Sequence, residues 1–330
     1  MKHRRQFLLR SAAWIAGAIT AGYVGFRVAA HNGWLYTTRN ARAFQRGTEP
    51  ARSIETASLN VLLVGDTGKP SLQRRRVVAS MRAHTQEHQV DAAILLGDNF
   101  YDHGVASVDD PRFERDFNAL FDASTFVMPF YVALGNHDCH QNPDAQVEYT
   151  ARNPRWTMPS RFYKETLRSS DVTVLLCVID TSLLLEETPA SKRQLMWLRQ
   201  SLIESDATWK IVAGHHPVLT GGRHQSNAVI ATALQPIFDT SAVDFYLSGH
   251  DHDLQLLDSQ RGWRQIVSGA GSKLRSTSWI DATLFAEACP GFASMALSRD
   301  NAYVSYHSEQ SRLMTATFAA KARSPITASS

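Results

Sequence analysis

The stretch Ala92-Ala93-Ile94-Leu95-Leu96-Gly97-Asp98-Asn99-Phe100-Tyr101 decides how this chain is read. Five apolar residues with no polar interruption are too few for a helix. They also lack the alternation of a one-sided strand, so they read as a strand covered on both faces. The run ends in a glycine and a carboxylate, the form of a strand stopping at a tight turn. The same form stands upstream, where 59–64 ends in Gly65-Asp66, and downstream, where 130–134 ends in Gly135-Asn136-His137-Asp138. It returns twice more: 210–213 is followed by Gly214-His215-His216-Pro217, and 245–247 leads into Gly249-His250-Asp251-His252.

Working outward, residues 74–88 place Val77, Val78 and Met81 at helical spacing. Residues 113–121, 192–203 and 228–238 also read as helices, and 172–179 as a further strand. After Gly249 the pattern is β throughout, with strands at 254–257, 264–267, 292–297 and 302–307. Arg299-Asp300-Asn301 is a hairpin turn between the last two. Strand–helix alternation followed by antiparallel strands predicts an α/β domain whose sheets pack together under flanking helices. In open α/β sheets ligands gather outside the carboxyl ends of strands. Asp66, Asp98, Asn136, His215 and His250 each follow an apolar run and a glycine, so they predict one shared site. Taken singly, a Gly-Asp turn or a lone histidine is ordinary; all five in order are not.

The chain has 330 residues, 44% hydrophobic and 20% charged, enough for one large domain with a sizeable core. The net charge of +3 is unevenly placed. Lys2, Arg4, Arg5, Arg10 and Arg27 are basic and residues 1–30 hold no acid, so the remainder carries 29 basic against 31 acidic residues, a net of −2. That balance disfavours nucleic acid as a partner. Arg4-Arg5-Gln6-Phe7-Leu8-Leu9, the apolar stretch from Ala12 to Phe26 and the small residues Val28-Ala29-Ala30 read as an export signal of twin-arginine type. The twin-arginine machinery is then an expected partner, and the periplasm or the medium the expected location. An uncleaved signal would leave a membrane tether. Residues 31–57 read as a linker or N-terminal arm, 58–318 as the domain, and 319–330 as a disordered tail. Cys139, Cys177 and Cys289 form no framework; Cys177, inside an apolar run, reads as core.

Together these segments resemble the metallophosphoesterase superfamily, and within it the purple acid phosphatases of the small tartrate-resistant type. The likeness rests on Asp66, Gly97–Tyr101 with its tyrosine, Gly135–Asp138, Gly214–Pro217 and Gly249–His252, and runs from about Leu59 to Phe318. Tyr101 separates this branch from general metallophosphoesterases. The resemblance implies a calcineurin-like fold, two packed mixed β-sheets flanked by helices (α/β/β/α), and hydrolysis of phosphate monoesters on phosphorylated small molecules or phosphoproteins. It implies that Asp66, Tyr101 and His252 hold Fe(III), that Asn136, His215 and His250 hold a divalent ion (Fe(II), Zn(II) or Mn(II)), and that Asp98 bridges the two. Such a pair activates a hydroxide nucleophile. His137 and His224 are the implied catalytic residues that bind no metal. Other readings of the same ligands are a phosphodiesterase, nucleotidase or diphosphatase, and a redox-active diiron protein without hydrolytic purpose. The chain departs from the family at His216, where tyrosine is usual. Cys139, beside the expected site, suggests sensitivity to oxidation. His140 reads as a loop histidine, and Arg74-Arg75-Arg76 as a solvated helix start.

Overall fold

The computed structural model describes residues 58–186 and 188–322; the expected signal of 1–30, the expected arm of 31–57 and residues 323–330 of the expected tail lie outside the described residues. In chain order the strands and helices are β1 (Leu59–Val64), α1 (Leu72–Glu87), β2 (Ala92–Leu96), β3 (Phe130–Ala133), α2 (Asn136–Cys139), α3 (Asp144–Tyr149), β4 (Trp156–Thr157), β5 (Tyr163–Arg168), β6 (Thr173–Val178), α4 (Thr181–Leu184), α5 (Pro189–Ile203), β7 (Trp209–Ala213), α6 (Ala228–Thr240), β8 (Phe245–Ser248), β9 (Leu254–Asp258), β10 (Arg264–Ser268), β11 (Thr283–Glu287), β12 (Gly291–Leu297), β13 (Asn301–Ser308) and β14 (Arg312–Ala319).

The apolar runs become the middles of two seven-stranded sheets, ordered β14-β13-β12-β1-β2-β3-β4 and β11-β9-β10-β8-β7-β6-β5. β1, β2, β3 and β4 run parallel, as do β6, β7, β8 and β10. Their runs are continuous because both faces are covered. In β6, Val174, Leu176 and Val178 join the core between the sheets, while Leu175 and Cys177 join the cluster under α5 and α6. On the outer face of the first sheet, Val77, Val78 and Met81 bury the apolar stripe of α1. Ser71 caps that helix, its hydroxyl accepting from the Arg74 amide at 2.9 Å.

Several expectations change. The chain after Gly249 is not one antiparallel block: β9, β10 and β11 complete the second sheet, while β12 crosses back to pair with β1, Leu59 opposite Leu297. β10 pairs parallel with β8. Residues 113–121 contain a π-helical turn, Glu114–Asn118, in place of an α-helix. Ala319 closes β14 and does not begin a tail. Arg74 is not solvated. It is 6% exposed and bonds Asp116 at 2.9 Å, because the buried carboxylate needs a cation.

Candidate metal centre

Because β1, β2 and β3 are parallel in one sheet and β7 and β8 in the other, their carboxyl ends bring Asp66, Asp98, Asn136, His215 and His250 to one place. Local backbone geometry is unusual there. Asp66, Asp98 and His250 have φ of 60°, 53° and 67°, the left-handed region that side chains with a Cβ seldom occupy. Each follows a glycine, and close approach explains two of these. At Gly97 (φ 87°) a Cβ would lie 2.6 Å from His215 Nδ1, and at Gly249 2.6 Å from Asp66 Oδ2.

The polar atoms fall into two groups that share Asp98. In the first, the Tyr101 hydroxyl lies 2.9 Å from Asp66 Oδ1, 2.7 Å from Asp98 Oδ2 and 3.3 Å from His252 Nε2. A phenol has one proton, yet two carboxylate oxygens converge on it. In the second group, His215 Nδ1 faces the Leu96 carbonyl at 2.8 Å. That contact makes Nδ1 a donor and turns Nε2 toward the other polar groups. Nε2 then meets Asn136 Oδ1 at 3.2 Å, His250 Nδ1 at 3.2 Å and Asp98 Oδ1 at 3.4 Å. Oxygen and nitrogen lone pairs are thus crowded where protons are scarce, and Asp66 and His215 are fully buried. One ligand atom from each of Asp66, Asp98 and His215 lies within 4.8 Å of the other two. Cations fit this donor set; carboxylates and histidines without one do not.

The electrostatics agree. Burial pushes the Asp66 carboxyl up to about 7, with His215 opposing the rise and Asp98 adding to it. Against the same burial penalty, His215, the Tyr101 hydroxyl and His137 hold Asp98 below the ordinary carboxylate range. Burial and the two carboxylates drive the Tyr101 phenol far up. Burial, then Arg275 and Lys273, lower His252 to about 3.

His137 stands at the mouth, side chain 29% exposed. Its amide donates to Asp98 Oδ1 at 2.9 Å, its Nδ1 meets the Asp102 carbonyl at 2.5 Å, and its ring lies 4.3 Å from that of Tyr101. His224 lies across the site, its ring 4.3 Å from that of His250 and its amide donating to Asp251 Oδ1 at 3.1 Å. Between His216, His250 and the segment from His224 to Val229 lies a cleft of about 430 Å³. His216 packs 4.5 Å from His250, and its Nδ1 meets the Thr181 hydroxyl at 2.8 Å, so it braces the cluster from behind. Cys139 is no oxidation-prone thiolate: burial, with Asp180 and Asp138 beside it, pushes its thiol up to about 12. The His140 ring lies beside those of His137 and His103. All three cysteines are free.

Two groups escaped the sequence reading. Asp138 is fully buried and accepts from the amides of Gly135 (2.8 Å), Asn99 (3.1 Å) and Phe100 (3.1 Å), stitching the loop after β2 to the loop after β3. The second is the basic pair Lys273 and Arg275, which follows the glycine-rich turn after β10. A cation directly after such a turn is the only sequence signal it offers.

Residues 59–254 match the family model described as calcineurin-like phosphoesterase. The chain is similar to human tartrate-resistant acid phosphatase type 5, 33% identical over 240 residues, covering 66% of this chain and 74% of that protein. It is also similar to purple acid phosphatase 7 of Arabidopsis thaliana, 31% identical over 250 residues, covering 69% and 75%. Among solved structures, the fold matches GAP50, the anchor in the inner membrane complex of Plasmodium (TM-score 0.75, 23% identity, covering 81% of this chain and 90% of that one). It also matches purple acid phosphatase PPD1 from yellow lupin seeds (TM-score 0.62, 15% identity, covering 80% and 54%). At these identities the two structures speak for the fold alone.

Proposed function

The chain belongs to the calcineurin-like phosphoesterases and, within them, to the purple acid phosphatases, and from that footing we propose that it hydrolyses phosphate monoesters at a centre of Fe(III) and one divalent ion. It is a hydrolase of the acid phosphatase type, acting on phosphorylated compounds. The finer reading rests on Tyr101, a buried phenol with its oxygen within 2.9 Å of two carboxylates. In this reading Asp66, Tyr101 and His252 hold Fe(III), since phenolate and carboxylate are hard anionic donors suited to a trivalent ion. Asn136, His215 and His250 would hold Fe(II), Zn(II) or Mn(II), and Asp98, whose two oxygens face the two groups of donors, would be shared between them.

When bound, the metal pair supplies a Lewis acid for a phosphoryl oxygen and an activated water. The protein does the rest. His137, its Nδ1 donating to the Asp102 carbonyl, presents Nε2 to the mouth; as an imidazolium it would donate from Nε2 to a phosphate oxygen. His224, on the opposite wall beside His250, delivers a proton to the departing alkoxide. Neither binds metal, and a diiron protein without a substrate would have no use for them. Export to the periplasm or the medium rests on residues 1–30, and small phosphorylated molecules or phosphoproteins would be met there.

The test is a visible spectrum of the purified protein beside a metal count. A tyrosinate-to-iron charge-transfer band with two metals per chain is expected. A colourless protein carrying two divalent ions overturns the iron assignment and leaves a general metallophosphoesterase.

A further inference from the structure

The segment after β10 crosses the mouth of the cluster on the Tyr101 side. It is pinned at both ends to loops carrying the candidate ligands: the Ser272 hydroxyl bonds the Asp66 carbonyl, and the Arg275 amide donates to the His252 carbonyl at 3.0 Å. Between these anchors, Lys273 Nζ lies 4.0 Å from the centre of the Tyr101 ring. Lys69 also approaches this side, but it is neutralised by Asp102 at 3.2 Å. Among the described residues, the side chains of Lys273 and Arg275 have no hydrogen bond and no carboxylate within 4.0 Å. Both are partly buried. Two cations two residues apart, partly buried and with no carboxylate in contact, are costly unless an anion joins them.

We propose that Lys273 and Arg275 form a second anion subsite, which takes the adjoining phosphate of a diphosphate or other phosphoanhydride while its neighbour is cleaved at the candidate centre. The inference rests on the phosphatase reading above and specifies its substrate class. In the step, the oxygen of water bonds to the attacked phosphorus and the bridging P–O bond breaks. The leaving phosphate departs with that electron pair, its charge met by the two cations. The water's proton passes to solvent or to the departing oxygen. A monoester with a neutral leaving group draws nothing from this subsite, so the pair acts on selectivity.

The metal-loaded enzyme is assayed on inorganic diphosphate and on para-nitrophenyl phosphate, as wild type and as Lys273→Met, Arg275→Met and Lys273→Arg. The ratio of kcat/KM for diphosphate to that for the monoester falls at least about tenfold in each Met variant, as loss of a charge-assisted contact predicts. Lys273→Arg recovers most of the ratio. Calorimetry on the same proteins follows binding of methylenediphosphonate and orthophosphate, and only the former weakens by a comparable factor. An unchanged ratio, or equal weakening of both ligands, overturns the subsite. If the wild type cleaves neither substrate, the phosphatase reading falls and the binding comparison decides the subsite by itself.

Discussion

The Tyr101 hydroxyl has one proton and two carboxylate oxygens around it, and much of the site's chemistry turns on that mismatch. Tyr101→Phe keeps the ring, with its packing against His137 and Lys273, and removes only the oxygen. The charge-transfer band should vanish while the cooperative unfolding transition remains; persistence of the band would put iron elsewhere. His137 and His224 are tested by separating the same two properties. Each Ala variant should keep the band and lose roughly 100-fold or more in kcat, the usual scale for a positioned acid, base or oxyanion partner. Steady-state kinetics beside the spectrum reads both. The segments that carry Tyr101, His137 and the candidate ligands stand out in the sequence because each begins at a recognisable strand end, while the roles expected of Tyr101 and His137 come from the family resemblance. The roles of Asp138 and Lys273 were not legible there, because they lie in which amides and rings the two residues face, and one-dimensional order does not specify that.

At the scale of elements, Asp138 ties together two loops that each deliver a candidate ligand. Asp138→Ala leaves three buried amides short of an acceptor, each costing about 1–3 kcal/mol. The variant should unfold at a clearly lower urea midpoint and purify with fewer than two metals per chain; wild-type values for both would show that the loops hold themselves. The strands divide in an instructive way. The inner strands of both sheets match the apolar runs. The four strands not anticipated, β4, β5, β11 and β14, are the four sheet edges. An edge strand has one open side and half-solvated faces, so it carries no continuous apolar run. In β5 only Tyr163 is buried, and exposed and partly buried residues alternate through the rest to Arg168; β14 is similarly mixed.

For the molecule as a whole, acid stability depends on a pair of histidines beside α1, away from the cluster. His307 of β13 stacks on Phe292 with centroids 4.7 Å apart, and its Nε2 meets the Ser294 hydroxyl at 2.8 Å; His84 of α1 lies 4.9 Å from it, edge on. Burial, then the neighbouring charges of His88 and Arg312, lowers His84 to about 4; burial, then His84 and Arg312, lowers His307 to about 3. Both are therefore neutral in the folded protein. Below the ordinary histidine value of 6.5 the unfolded chain takes up protons that the folded chain refuses. Stability is thus full above 6.5 and is lost as pH falls toward 4 and then 3, at about 1.4 kcal/mol per pH unit for each histidine. Urea midpoints between pH 7 and pH 4 should show this slope, and His307→Gln should flatten it. An unchanged slope in the variant would assign the acid sensitivity to other groups.

Taken alone, the sequence determined the buried strands, the glycine turns at their ends and the set of polar residues placed there. Each of these is a local pattern written in consecutive residues: an apolar run, a glycine, a side chain able to bind metal. Only the tertiary structure decided that the strands after Gly249 divide between two sheets, that Asp98 presents one oxygen to each group of donors, and that Lys273 rests on the Tyr101 ring. Those facts depend on pairing across long stretches of chain, where the free energy comes from closing two sheets on a common core. No local run of residues records which distant partner that closure selects.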